Sequence, residues 1–356
     1  MVRVAVIGCG AIAQRAYLPV LTSIEGAEVV AVVDVNESLA RDVAKRYGIA
    51  KYYTDHKKIL QDDSIDLACV CTPSYLLAKV SLDLLRSGKH VLVEKPLALS
   101  VKDGKEVLEV AKEEKRKVAV AYEYRYFPSM KRLKETIESG RLGTITTILG
   151  VAHIHIPLAW TKSTWLYQDD VGVLYDFAPH LIDAILWLIS SNVEEVVAFG
   201  QRFPASMTCL TEAEIMLKFK SGATALASVS WLTGTTLFTL SIYGTGGRAF
   251  EDVFYDYLIE VHGTGSPLNE LKGSLGKLLK NVRRALSGTL FEGGLAFYRP
   301  LILDVIQSIE KGGKVPISGE DALNVLKICD AAKMSIVQKR SINIKEVIED
   351  KNNVVF

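Results

Sequence analysis

Cysteines at the spacing of a zinc ribbon or a disulfide framework are missing from this chain. The five present, Cys9, Cys69, Cys71, Cys209 and Cys329, are odd in number and contain no C-x-x-C pair, which argues against a disulfide framework and against a zinc ribbon. A reducing cytoplasm is the expected compartment, and no metal site is expected. Excess charge is missing too: 42 basic residues balance 41 acidic ones. A net charge of +1 creates no field that would gather DNA or an acidic membrane surface. With no helix-turn-helix signal either, no nucleic-acid partner is expected. Long apolar runs are lacking as well. The most apolar one, "LIDAILWLIS", is too short to span a bilayer and contains Asp183, and with "VRVAVIG" at the start no signal peptide is expected. No repeat and no low-complexity linker interrupts the chain. What remains is 356 residues, 49% of them hydrophobic, enough for two domains with sizeable cores.

Two textures divide the chain. Up to about Tyr122, runs such as "VRVAVIG", "AEVVAVVD", "DLACVCTP", "HVLVEKP" and "KVAVAYE" alternate with helical patterns at Ala11 to Ser23, Glu37 to Tyr47, Leu76 to Ser87 and Lys102 to Glu114. Strands separated by helices of that length imply βαβ units and a parallel sheet. After Tyr122 a helix is expected from Ser129 to Ser139, bounded by Pro128 and Gly140. Strand-like runs joined by short Gly-bearing turns then follow one another, among them "TITTILGVAHIHI", "EAEIMLKFKSG" and "TLFTLSIYGTGG". Consecutive strands of this kind predict a mostly antiparallel sheet. The expected organisation is α/β, with a dinucleotide-binding domain over 1–122 and a second α/β domain over 123–356.

The first strand-to-helix turn, "GCGAIA", puts Gly8, Gly10 and Ala13 in a G-x-G-x-x-A pattern. In a dinucleotide fold the first glycine makes the turn, the second admits pyrophosphate to the backbone, and the small third residue lets helix pack on strand. The helix N-terminus then offers free N–H groups to phosphate. Asp34 ends the next strand, about 20 residues further on, where a carboxylate accepts bonds from the adenosine ribose. These residues predict nicotinamide dinucleotide binding, and a fixed carboxylate at Asp34 favours NAD over NADP because it repels a 2′-phosphate. The cofactor-binding candidates are Gly8, Gly10, Ala11, Ile12, Ala13, Asp34, Val35, Thr72, Pro73, Glu94 and Lys95. The last two end the run "HVLVEKP". Ligands of an open parallel sheet sit beyond the carboxyl ends of its strands, so Glu94 and Lys95 are expected at the cofactor crevice, with Pro96 stopping the ladder.

In order and spacing, "GCGAIAQRAYLPVL", "CTPS", "GKHVLVEKPLA", "YRYFPSMKRLKETIESGRLGTI" and "DVGVLYDFAPHLIDAILWL" resemble the Gfo/Idh/MocA oxidoreductases over nearly the whole chain. That resemblance implies a Rossmann domain, a C-terminal α/β domain on a large open sheet that also serves oligomerisation, and oxidation or reduction of a sugar or polyol hydroxyl. It also implies that Lys95, Asp176 and His180 surround the reacting carbon. The chemistry suits those residue types. Hydride removal from a secondary alcohol needs a base for the hydroxyl proton, which histidine supplies near neutral pH. A lysine cation steadies the negative charge developing on oxygen. Asp176, four residues before His180, would share its face on one continuous helix and orient sugar or imidazole. The sequence departs from the family pattern at Asp170-Val171-Gly172, where three glycines are usual, at Ala178, and at Pro179, which would kink a continuous helix. Tyr17 and Leu77 stand where relatives often carry histidine.

Other residues admit two readings. His153 and His155 alternate along a strand and so share a face, as a half-site for metal would require; sugar contact by His155 or simple packing is the alternative. Trp160 and Trp165 lie in the loop after that strand and would cover a sugar face or fill the core. Arg125 reaches substrate or forms a structural ion pair. The segment 270–286 carries leucines on one helical face and Lys272, Lys277, Lys280, Arg283 and Arg284 on the remainder; it is a docked surface helix, a clamp for phosphate, or a lipid-touching patch. The expected activity is therefore that of an NAD-dependent dehydrogenase or reductase. Its substrate would be a sugar or polyol, free, phosphorylated or nucleotide-linked, bound through Lys95, Arg125, His155, Trp165, Asp176 and His180 in a homodimer or homotetramer. The alternative is a non-catalytic sensor on the same scaffold, which would have no need of the proton-transfer residues.

Overall fold

Strand β1 (Val2–Ile7) is apolar toward both faces and almost wholly buried, as a strand at the centre of a parallel sheet must be. It is joined by β2 (Ala27–Val33), β3 (Lys51–Tyr53), β4 (Leu67–Val70), β5 (His90–Val93) and β6 (Val118–Val120). They form a six-stranded sheet in the order β3-β2-β1-β4-β5-β6, every pair parallel. The direction of winding reverses between β1 and β4, which makes that position the switch point of the sheet. Helices connect the strands with local signals in place. Asn36 caps α2 (Glu37–Tyr47) by accepting from Leu39 N–H, and Gly48 ends it at φ 67°. Ser100 caps α4 (Val101–Glu113) in the same way through Asp103 N–H, and α3 (Ser74–Arg86) starts after Pro73.

A computed structural model describes residues 1–155, 164–167, 171–203, 205, 207–263, 275, 276, 279 and 295–349. Trp160 and nearly all of the basic segment 270–286 lie outside the described residues. The chain forms two compact units, Met1–Glu123 with Gly293–Leu326, and Tyr124–Glu292 with Lys327–Phe356. The boundary after Glu123 lies one residue from the expected one, and the segment Gly293–Leu326 groups with the first unit. The helix Leu295–Lys311 returns to the first unit because Tyr298, Leu301, Ile302, Val305 and Ile306 are buried there, against β1 and the helix that follows the glycine turn. An apolar face of that size must be covered, and nothing local in the sequence says by what.

The second unit is built on eight strands in the order β13-β12-β11-β7-β10-β9-β8-β14. They are β7 (Ile145–His153), β8 (Val193–Gln201), β9 (Glu212–Phe219), β10 (Thr224–Ser230), β11 (Leu237–Gly244), β12 (Gly247–Asp252), β13 (Tyr257–His262) and β14 (Ile342–Asn343). Only the β7–β10 pair among these is parallel, so the sheet is mostly antiparallel as predicted. The expected helix after Pro128 forms as α5 (Pro128–Glu138), with the proline in its first turn. Strict alternation along β9, where Ala213, Ile215, Leu217 and Phe219 are buried and their neighbours are not, gives the sheet one covered and one open face. The covered face packs under α6 (Gly172–Asp176) and α7 (Ala178–Leu188). The approach is close: a Cβ on Gly150 would stand 2.7 Å from Leu181 Cδ1.

Candidate functional site

The glycine turn after β1 is tight for a steric reason. Gly8 sits at φ +93°, and a Cβ there would lie 2.5 Å from the Cys71 carbonyl oxygen, so no other residue fits. Gly8 N–H donates to Val33 O at 2.7 Å. A Cβ at Gly10, by contrast, would meet nothing within 4 Å, leaving open space above the backbone. Asp34 turns back to hold this loop: its Oδ2 accepts from Cys9 N–H at 2.8 Å and its Oδ1 from Asn36 N–H at 2.9 Å. Each oxygen keeps a lone pair for a ribose hydroxyl. Thr72 supplies an orphan, because its hydroxyl is buried with no hydrogen-bond partner; a group left that way asks for a ligand atom. Open space over Gly10, a carboxylate at Asp34 and the unsatisfied Thr72 hydroxyl together fit a dinucleotide. Val35 is 90% exposed, and Pro73 is the residue before α3.

The segment after the glycine turn is helical, as expected from residue 11 onward, but not uniformly α. Residues Ala13–Tyr17 make a π-turn in which Leu18 N–H bonds to Ala13 O, five residues back, before α1 (Leu18–Leu21). Pro19, in the first turn of α1, has no N–H to continue an α-ladder, and the extra residue absorbs the mismatch. The π-turn carries Tyr17 into the interior, where its hydroxyl donates to Glu94 Oε1 at 2.8 Å. Tyr298 donates to the same oxygen at 3.1 Å. Glu94, expected as a cofactor contact, is thus engaged inside the protein and is 7% exposed. Burial pushes its carboxyl above the usual range, opposed first by the Lys95 charge and then by the two tyrosines. Glu94 N–H continues the sheet edge by donating to Val70 O at 2.9 Å. Asp34, Gly8, Thr72, Glu94 and half-buried Lys95 therefore follow one another along the carboxyl edge of the parallel sheet.

Asp176 and His180 belong to the second unit, and they do not share a continuous helix. Asp176 ends α6, Phe177 breaks the helix at φ −103°, and α7 begins at Ala178 with Pro179 in its first turn. The proline therefore costs α7 no hydrogen bond and produces no kink within it. His180 lies in that first turn, 5% exposed, its ring stacked on Tyr124 at 4.5 Å and 17° and edge-on to Phe177 at 5.9 Å. One turn on, Asp183 points into the interior. Its carboxylate takes Arg125 in a bidentate pair, Nε to Oδ2 at 2.9 Å and a terminal nitrogen to Oδ1 at 2.6 Å. Of the two readings for Arg125, the ion pair is the one present, with Trp187 below the guanidinium at 5.8 Å.

His153 and His155 differ in setting. His153 Nε2 lies 2.9 Å from Ser228 Oγ, which donates to Glu214 at 2.7 Å, and burial lowers its pKa against the opposing pull of Glu214 and Glu212. His155 is exposed just past β7, and Trp165 is half-buried in the short turn Thr164–Tyr167. Among the described residues no group of three or more metal-binding side chains converges. Tyr298 and the pairing of Asp183 with Arg125 escaped the sequence reading. The only local signal for either was an acid and a tyrosine in otherwise apolar helical faces.

Comparison with known proteins agrees with this geometry. The model of the Gfo/Idh/MocA oxidoreductase family, NAD-binding Rossmann fold, matches residues 2–122, and that of the GFO/IDH/MocA C-terminal domain matches residues 130–250. A myo-inositol 2-dehydrogenase of Thermotoga maritima is 27% identical over 97% of this chain and 99% of its own. An uncharacterised oxidoreductase of Rhizobium meliloti is 30% identical over 65% of this chain and 68% of its own. In fold, the WlbA dehydrogenase of Bordetella pertussis, solved with NADH and UDP-GlcNAcA, is similar with a TM-score of 0.83 at 20% identity, covering 96% of this chain and 97% of that one. The first model falls on the parallel sheet with its glycine turn at the switch point, the second on a large part of the eight-stranded sheet, and the chain belongs to the Gfo/Idh/MocA family of oxidoreductases.

Proposed function

We propose that Lys95, Asp176 and His180 carry the chemistry of an NAD-dependent oxidoreductase acting on a hydroxyl of a sugar, polyol or nucleotide sugar. The observation that carries this reading is the row Gly8, Asp34, Thr72 and Lys95 along one sheet edge, in a chain matched end to end by a dehydrogenase of inositol. When bound, NAD supplies the hydride acceptor. The glycine turn and the N-terminus of its helix hold pyrophosphate, Asp34 holds the adenosine ribose, and the Thr72 hydroxyl satisfies a further cofactor oxygen. His180 accepts the substrate hydroxyl proton, Lys95 Nζ steadies the charge left on oxygen, and Asp176 orients the substrate. Arg125 spends Nε and one terminal nitrogen on Asp183, so any substrate contact it makes would use its remaining N–H groups. The test is a panel of sugars, inositols, sugar phosphates and nucleotide sugars screened for NADH and NADPH formation. Turnover should appear with NAD ahead of NADP, and Asp34→Ser should narrow the gap while weakening NAD, since Asp34 also tethers Cys9 N–H. Binding of a sugar without turnover on any member of the panel would leave a sensor in place of the enzyme.

The open face of the second unit's sheet supports assembly into dimers or tetramers. The strand register sets Val197, Met216, Leu226, Leu149, Ser241 and Phe250 in one row across six strands. Met216 is 53% and Leu149 39% exposed, with Phe199 and Tyr243 exposed on the same face. A mostly apolar row this wide is the kind of surface that association removes from water. Sedimentation should give a mass of two or four chains, and Leu149→Glu with Met216→Lys should reduce it to one. A single-chain mass for the unaltered protein would refute the assembly.

A further inference from the structure

Hydride transfer makes no direct use of Glu94, yet three elements converge on it. Its Oε1 accepts from the Tyr17 hydroxyl of the π-turn at 2.8 Å and from the Tyr298 hydroxyl of the helix Leu295–Lys311 at 3.1 Å; its Oε2 accepts from Lys95 N–H at 3.3 Å. The two tyrosine rings pack together at 5.4 Å. All three of these partners are donors. A protonated carboxyl would need an acceptor for its own O–H, whereas a carboxylate takes all three donors as they stand. Burial favours the neutral acid, and the Lys95 charge and the two tyrosine donors oppose it. The other titratable groups around it are the thiols of Cys69 and Cys71, with Cys9 beside Cys71 and Glu123 beside Tyr298. Burial raises the two tyrosines and the three thiols, leaving them uncharged at neutral pH.

We propose that Glu94, clamped by Tyr17 and Tyr298, is the positioning residue for Lys95: a buried anion that fixes the lysine at the carboxyl edge of the sheet and keeps its ammonium protonated. The inference rests on the catalytic reading of Lys95. A lysine drawn into a protein interior tends to shed its proton, and a neutral amine could not steady charge on the substrate oxygen. An adjacent carboxylate reverses that tendency. Tyr17 and Tyr298 matter because they hold the carboxylate charged in a buried place that would otherwise protonate it.

Glu94→Gln keeps the size of the side chain and an oxygen for the tyrosines, and removes only the charge. In the cofactor-free protein, the pH dependence of Lys95 acylation, read by mass spectrometry against a free-amine standard, should show its pKa lowered by about one unit or more. In the enzyme, kcat should fall on the order of 10-fold to 10²-fold, with the alkaline limb of its pH profile moved to lower pH and NAD affinity little changed. Glu94→Asp should recover part of the loss. Tyr17→Phe with Tyr298→Phe keeps both rings and removes both hydroxyls; Glu94 should then protonate at higher pH, so the acid side of the kcat profile falls off earlier than the His180 limb alone would make it. An unchanged Lys95 titration and unchanged kcat in Glu94→Gln would overturn the proposal, as would a double phenylalanine variant with the original acid limb should Glu94→Gln fail to fold. If Lys95→Met kept full turnover, the catalytic reading would fall instead, while the labelling experiment would still report the coupling of Glu94 to Lys95.

Discussion

Replacing Lys95 by methionine or His180 by alanine should each lower turnover by about 10²–10⁴-fold, the usual scale of an electrostatic or acid–base contribution in a transition state. Cofactor affinity should change far less. Pyrophosphate and ribose are assigned to the Gly8–Gly10 turn and Asp34, whose loop is held by its own bonds to Val33 O and Cys9 N–H. Methionine at 95 preserves length and apolar stem while removing charge. Alanine at 180 leaves a gap beside Tyr124, on which the imidazole stacks, so folding must be followed by circular dichroism and His180→Asn run in parallel. In the unaltered enzyme, alcohol oxidation should weaken as pH falls, because an imidazolium cannot accept the hydroxyl proton. His180→Ala should abolish that limb and leave any lysine-dependent alkaline limb intact. Steady-state NADH formation across pH, with NAD binding titrated beside it, reads all of these. Near-normal turnover in both variants would refute the catalytic assignment.

Asp183→Ala should destabilise the second unit by about 3–5 kcal/mol, since it strips the carboxylate from a buried guanidinium. The Asp183 side chain is 1% and that of Arg125 10% exposed, so water cannot take the place of the lost partner. Both bonds of the fork are short and parallel, the geometry that makes such a pair costly to break from one side. Arg125→Ala should cost a similar amount by leaving the anion behind. Replacing both, as Arg125→Met with Asp183→Leu, should recover most of the stability. Denaturant titration followed by tryptophan fluorescence measures each, Trp187 lying against the arginine. A change within about 0.5 kcal/mol, the range of an ordinary surface substitution, would show that the pair is not structural.

The parallel sheet, the glycine turn, the position of Asp34 and Lys95 at strand ends, and the alternating strands after residue 140 were all legible in the sequence. Each depends on a local rule: which φ a residue tolerates, which face a side chain takes every second position, which residue stops a ladder. The break at Phe177 was half legible, because Pro179 announces a helix start as readily as a kink. What the tertiary structure alone decided are pairings over long separations. Tyr298 meets Glu94 across 204 residues and Asp183 meets Arg125 across 58, and the helix Leu295–Lys311 rejoins the first unit after seven of the eight strands of the second sheet. An apolar helix face or an acid among apolar residues states a need for a partner. Which partner answers depends on where the folded chain brings each element, and that is a property of the packed core as a whole.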